Sequence, residues 1–100
     1  MANSWVIKIK KGADGAVFDP PALNALNGDG VTWSNEDDQA HWPAPISNGS
    51  MNQTGFMSTQ IAPGGSSDTT FIKGSSGTTI SYGCALHPSS TETGTITIVS

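Results

Sequence analysis

The sequence predicts an all-β fold, an antiparallel Greek-key β-sandwich of roughly seven or eight short strands. Two observations carry this expectation. Short runs in which apolar and polar residues alternate recur along the chain, each bounded by glycine, proline or asparagine. No apolar pattern of helical period extends beyond about two turns.

The first strand is Trp5-Val6-Ile7-Lys8-Ile9-Lys10, with Trp5, Ile7 and Ile9 on one face and the lysines on the other. Residues 12–15 read as a turn. Val17-Phe18 starts a second strand, which Asp19-Pro20-Pro21 confines to an edge or bend because proline has no ladder donor. Residues 22–26 follow, closed by the turn Asn27-Gly28-Asp29-Gly30. Val31-Thr32-Trp33-Ser34 then alternates inward and outward. The stretch 35–60 carries Pro43, Pro45, Gly49 and Gly55, and is expected to be mostly irregular, holding a binding loop or short helical turns. Residues 59–62, 67–72, 78–83 and 94–99 are the remaining strand candidates.

Composition narrows the function. One hundred residues suffice for one core, so residues 1–100 are expected to form a single domain. The net charge is −4, with four lysines and no arginine. Such a chain is poorly equipped to neutralise a phosphate backbone, and nucleic acid is not an expected partner. No apolar run approaches the roughly 18 to 20 residues of a membrane helix. No signal segment precedes the short polar lead-in, as expected for a mature domain without its leader. The only cysteine, Cys84, excludes an internal disulfide, so its thiol is buried, reactive or bound to something.

Both histidines fall near that cysteine in the expected fold. Cys84 and His87 lie in the connection between the last two predicted strands, and His41 follows the strand 31–34. In a sandwich both connections can open at the same end, bringing the three side chains together. Two imidazoles and a thiolate form the His₂Cys set that selects copper, usually with a weak axial ligand. With a carboxylate as fourth donor, the same set would also satisfy tetrahedral zinc.

These residues carry a resemblance. Tyr82-Gly83-Cys84-Ala85-Leu86-His87 followed by Gly94-Thr95-Ile96-Thr97-Ile98-Val99 is similar to the Cys-x-x-His loop and final strand of plastocyanin-type cupredoxins, the small blue copper proteins. Val31-Thr32-Trp33-Ser34-Asn35 leading to Ala40-His41 resembles the strand before their first histidine, and Ala62-Pro63-Gly64-Gly65-Ser66 resembles their turn before the later strands. The resemblance implies a copper ion at one end of the sandwich, one per chain, cycling between Cu(II) and Cu(I). It implies a monomeric electron carrier that serves redox protein partners and is not an enzyme. It also implies an exported protein of the periplasm, a lumen or the cell exterior. His41, Cys84 and His87 are by this match the equatorial ligands.

The departure is at Glu92, which stands where the family carries an axial methionine, after Pro88-Ser89-Ser90-Thr91 has kept the loop length. A carboxylate is harder and anionic, and should bind more closely than a thioether. It favours Cu(II), lowers the potential, weakens the copper–thiolate bond and shifts the colour from blue towards green or red. The alternatives are a copper- or small-ligand-binding protein with an open site, and a blue copper carrier whose axial ligand has been exchanged by design. Pro43, Pro45, His87 and Pro88 are the candidate apolar surface through which electrons leave. Trp42 is expected to pack, and the run Glu36-Asp37-Asp38 to be solvated or to steer a basic partner.

Overall fold

The described residues of the computed structural model, 3–12, 15–86 and 93–99, form nine strands in two packed sheets. The strands are β1 (Ser4–Gly12), β2 (Gly15–Asp19), β3 (Ala22–Ala25), β4 (Gly30–Asn35), β5 (Pro43–Ser47), β6 (Ser50–Met51), β7 (Thr70–Phe71), β8 (Thr79–Cys84) and β9 (Thr93–Ile98). One sheet has the order β2-β1-β4-β7 and the other β3-β9-β8-β5-β6. The protein is thus an all-β sandwich, and among the described residues no helix is long and apolar enough to cross a membrane.

Alternation sets what each sheet buries. Ile7 and Ile9 of β1 are fully buried, while Val6 and Lys8, which alternate with them, face solvent. Val31 and Trp33 of β4, Tyr82 of β8, and Ile96 and Ile98 of β9 fill the space between the sheets. Four aromatic rings meet there. Trp33 stacks on Phe56 at 4.8 Å, and Tyr82 meets Phe18 edge-on at 4.8 Å and Trp33 at 5.5 Å. Such pairs contribute about 0.5–1.5 kcal/mol each beyond their buried area.

Two pairings differ from the expected antiparallel pattern. β1 runs parallel to β4, and β3 runs parallel to β9. The cause lies at Pro20-Pro21, where the chain leaves the edge strand β2 and crosses to the other sheet as β3. Each sheet therefore receives strands from distant parts of the chain.

Two more differences concern strand boundaries. The stretch 35–60 is less irregular than expected, because β5 and β6 form within it. Proline usually demotes a strand, yet β5 carries two. Pro43 pairs with Cys84 and Pro45 with Tyr82, and β6 lies beside only Ile46 and Ser47. The missing donors fall on the side away from β8, where the Asn52 amide donates to the Pro45 carbonyl. The predicted strand 67–72 shrinks to Thr70–Phe71 for another reason. Trp33 exchanges hydrogen bonds with Ser67, and Val31 is paired with Thr70, so Asp68 and Thr69 both stand opposite Thr32. One extra residue on one strand is a β-bulge, and it interrupts the ladder. The predicted strand 59–62 is reduced to a single bridge between Ile61 and His41.

Candidate metal centre

The β5–β8 ladder determines where the cysteine and the first histidine meet. Cys84 ends β8 and pairs with Pro43, so the two residues before Pro43 lie beside the sulfur. The Trp42 amide donates to Cys84 Sγ at 3.3 Å, and the Ala85 amide donates to the Trp42 carbonyl at 2.7 Å. His41 Nδ1 stands 3.7 Å from Cys84 Sγ. Both residues are buried, with 1% of each accessible.

His41 is held from three directions. Its amide donates to the Ile61 carbonyl at 3.1 Å, and its carbonyl accepts from the Ile61 amide at 2.7 Å. Its ring faces Asp37, with Nε2 and Oδ2 2.7 Å apart. Asn35, at the end of β4, organises the loop between. Its Nδ2 donates to the carbonyls of Gln39 and Ile61, at 2.8 and 3.1 Å, and its Oδ1 accepts from the Asp37 amide at 3.0 Å. Hydrogen bonding to His41 holds the Asp37 carboxyl below the usual aspartate range, outweighing the opposite effect of its burial.

The separation of the two donors can be compared with what a shared ion requires. Metal–nitrogen and metal–thiolate bonds of about 2.0–2.1 and 2.3 Å place N and S about 3.6 Å apart at a tetrahedral angle and about 3.7–3.8 Å apart at a trigonal one. The observed 3.7 Å matches either arrangement within a few tenths of an ångström, without movement of the backbone. A soft thiolate beside an imidazole nitrogen is donor chemistry that suits copper. The residues present therefore fit a copper ion.

His87, Pro88 and Glu92 lie outside the described residues. Among the described residues no group of three or more His, Cys, Asp and Glu side chains forms a metal cluster. Of the proposed apolar surface, Pro43 is fully buried against β8 and Pro45 is half-buried, so Pro45 alone of the two reaches the exterior. Trp42 is half-buried and packs on the core, with its indole donating to the Gln53 carbonyl at 2.7 Å.

One member of the acidic run departs from the expected solvated loop. Glu36 lies 3.7 Å from Lys8 and Asp38 3.0 Å from Lys11, both on the surface. Asp37 between them turns inwards to His41. Asp37 and Asn35 are the residues whose importance spacing alone did not reveal. The signal available was the run Asn-Glu-Asp-Asp ahead of His41, which permits an Asx turn followed by a carboxylate four residues before the ring.

Neither a family model nor a curated protein matches this sequence. Solved structures do resemble it. A purple cupredoxin from Nitrosopumilus maritimus is 26% identical, with 98% of this chain and 99% of that one covered and a TM-score of 0.75. A reduced Cu(I) form of an amicyanin variant is 21% identical, with 95% and 81% covered and a TM-score of 0.69. A pseudoazurin from Sinorhizobium is 22% identical, with 98% and 75% covered and a TM-score of 0.64. The two-sheet architecture of this chain is a cupredoxin-like sandwich, and that fold suggests a copper electron-transfer protein.

Proposed function

We propose that the protein is a mononuclear copper electron carrier rather than an enzyme, built as one cupredoxin domain over residues 1–100. The observation that carries this reading is the juxtaposition of His41 Nδ1 and Cys84 Sγ at 3.7 Å, inside a fold shared with cupredoxins. His41 and Cys84 supply two donors, and His87, three residues beyond Cys84, supplies the third. Copper, when bound, accepts and releases one electron between Cu(II) and Cu(I).

The remaining chemistry belongs to the chain. The Trp42 amide donates to the thiolate and withdraws charge from it, which favours the reduced state. Glu92, which loop length sets where the resembled family carries methionine, would oppose this if it held the ion, by adding negative charge and favouring the oxidised state. A site of this kind should be shifted from blue towards green or red, with a potential lower than a thioether would give. Burial of His41 and Cys84 in the end of a rigid sandwich limits how far the donors move as the charge changes.

Redox protein partners would approach through the apolar surface expected from the sequence, of which Pro45 is half-buried and reaches the exterior. An exported location, periplasm, lumen or exterior, accords with this function. Fractionation that finds the mature chain only in the cytoplasm would remove that part of the proposal.

Metal analysis with redox cycling tests the central reading. One copper per chain should bind, be reduced reversibly, and give an intense thiolate charge-transfer colour. Cys84→Ser should abolish the colour, and a Cys84→Ser protein that stays coloured would refute the assignment.

A further inference from the structure

Three consecutive acids stand between β4 and His41, and the structure treats them differently. Glu36 and Asp38 point outwards to Lys8 and Lys11. Asp37 points inwards, and its side chain is 7% accessible against 1% for His41. A buried carboxylate is costly unless it is paired and hydrogen-bonded. Its Oδ1 accepts from the Asp38 amide at 2.8 Å, and its Oδ2 lies 2.7 Å from His41 Nε2.

The chemistry of that contact is directional. An ionised carboxylate can only accept, so His41 Nε2 carries the hydrogen and donates it. The proton-free nitrogen is then Nδ1, the one that faces Cys84. The backbone supports this arrangement independently of the ring. Asn35 Oδ1 receives the Asp37 amide, and Asn35 Nδ2 reaches the carbonyls of Gln39, Ile61 and Ala62. The carboxylate is thus placed by the β4 end and the Ile61 segment, and the ring is oriented by the carboxylate.

We propose that Asp37 is a positioning residue that fixes His41 as an Nδ1 donor and, through its full negative charge, lowers the potential of the copper site relative to a neutral acceptor at the same place. The inference rests on the copper reading above. A ligand imidazole that donates to a carboxylate becomes a better donor, and it favours the more highly charged oxidised ion. Asp37 therefore acts through His41 without touching the metal.

Asp37→Asn keeps a carbonyl acceptor beside Nε2 and removes the charge, whereas Asp37→Ala removes both. In the copper-loaded Asn variant, Cu(II) affinity should fall about tenfold relative to Cu(I), which raises a one-electron potential by about 59 mV. The charge-transfer colour should persist. Ring ¹⁵N resonances of the metal-free wild type should show His41 as the Nε2–H tautomer, and in the Ala variant as a mixture. An unchanged potential in the Asn variant, or an Nδ1–H tautomer in metal-free wild type, overturns the proposal. A wild type that takes up no copper defeats the copper reading and this inference together, whereas coloured wild type with an insensitive potential defeats the inference alone.

Discussion

The Trp42 amide, just ahead of the adjacent strand β5, points at the sulfur of Cys84, 3.3 Å away. The donor belongs to the backbone, while the Trp42 indole turns aside to the Gln53 carbonyl. The two ends of one residue thus serve different purposes, and substitution separates them. Trp42→Phe removes only the indole donor. It should cost about 1 kcal/mol in thermal or denaturant unfolding and leave the copper potential where it was. A shifted potential would mean that the indole, and not the amide, acts on the site.

Glu92→Met restores the thioether of the resembled family. The variant should turn bluer, its charge-transfer intensity moving to the long-wavelength band, and its potential should rise. Absorption and EPR spectra of the Cu(II) forms, recorded side by side, check this. Identical spectra would show that Glu92 does not bind the ion.

Gly94 lies under the ring of Tyr82, and a Cβ there would collide with the ring carbons and the hydroxyl. Tyr82 is fully buried and wedged against Phe18 and Trp33, so the ring has little room to yield. Gly94→Ala should therefore destabilise the protein by about 1–3 kcal/mol. Double substitution with Tyr82→Phe should recover part of the loss, because it removes the hydroxyl oxygen that a Cβ at Gly94 would strike. Denaturant midpoints of the three variants decide the matter.

Asp29 anchors the opposite part of the sandwich. It accepts from Trp5 Nε1 at 2.9 Å and from the amides of Asn3 and Leu26, each at 2.8 Å. These bonds, the indole's first, hold its carboxyl below the ordinary value of 3.8. A depressed folded-state value means the unfolded chain takes up the proton first. The stabilisation is therefore complete at pH values above about 4 and is lost as the pH falls through the lower folded value. Asp29→Asn should lower stability at neutral pH and flatten its acid dependence. Unfolding midpoints measured from neutral pH down to pH 3 would reveal it, and parallel curves for the two proteins would sink it.

Much of this architecture was legible in the sequence where local pattern and tertiary role agree. The alternation through Ile7 and Ile9, and through Val31 and Trp33, gave both strand and face correctly. Cys84 and His41 were legible because their side-chain chemistry is rare in this chain. The strand β5 was hidden by Pro43 and Pro45, whose unfavourable propensity matters only on a side where a neighbour needs a donor. The parallel pairings of β1 with β4 and β3 with β9 were hidden as well, since pairing depends on which sheet each crossing strand joins. Asp37 looked like one of three surface acids. Only the turn made by Asn35 shows that the middle one faces inwards.

The position of β9 between β3 and β8 has a consequence for how the molecule comes into being. β3 is made early, yet its ladder partner arrives only after nearly all of the described chain has been synthesised. Contacts so remote in sequence close slowly. A nascent chain that already contains Cys84 still lacks the strand that completes its sheet. The Cys84 thiol therefore gains its final surroundings only when the last strand docks.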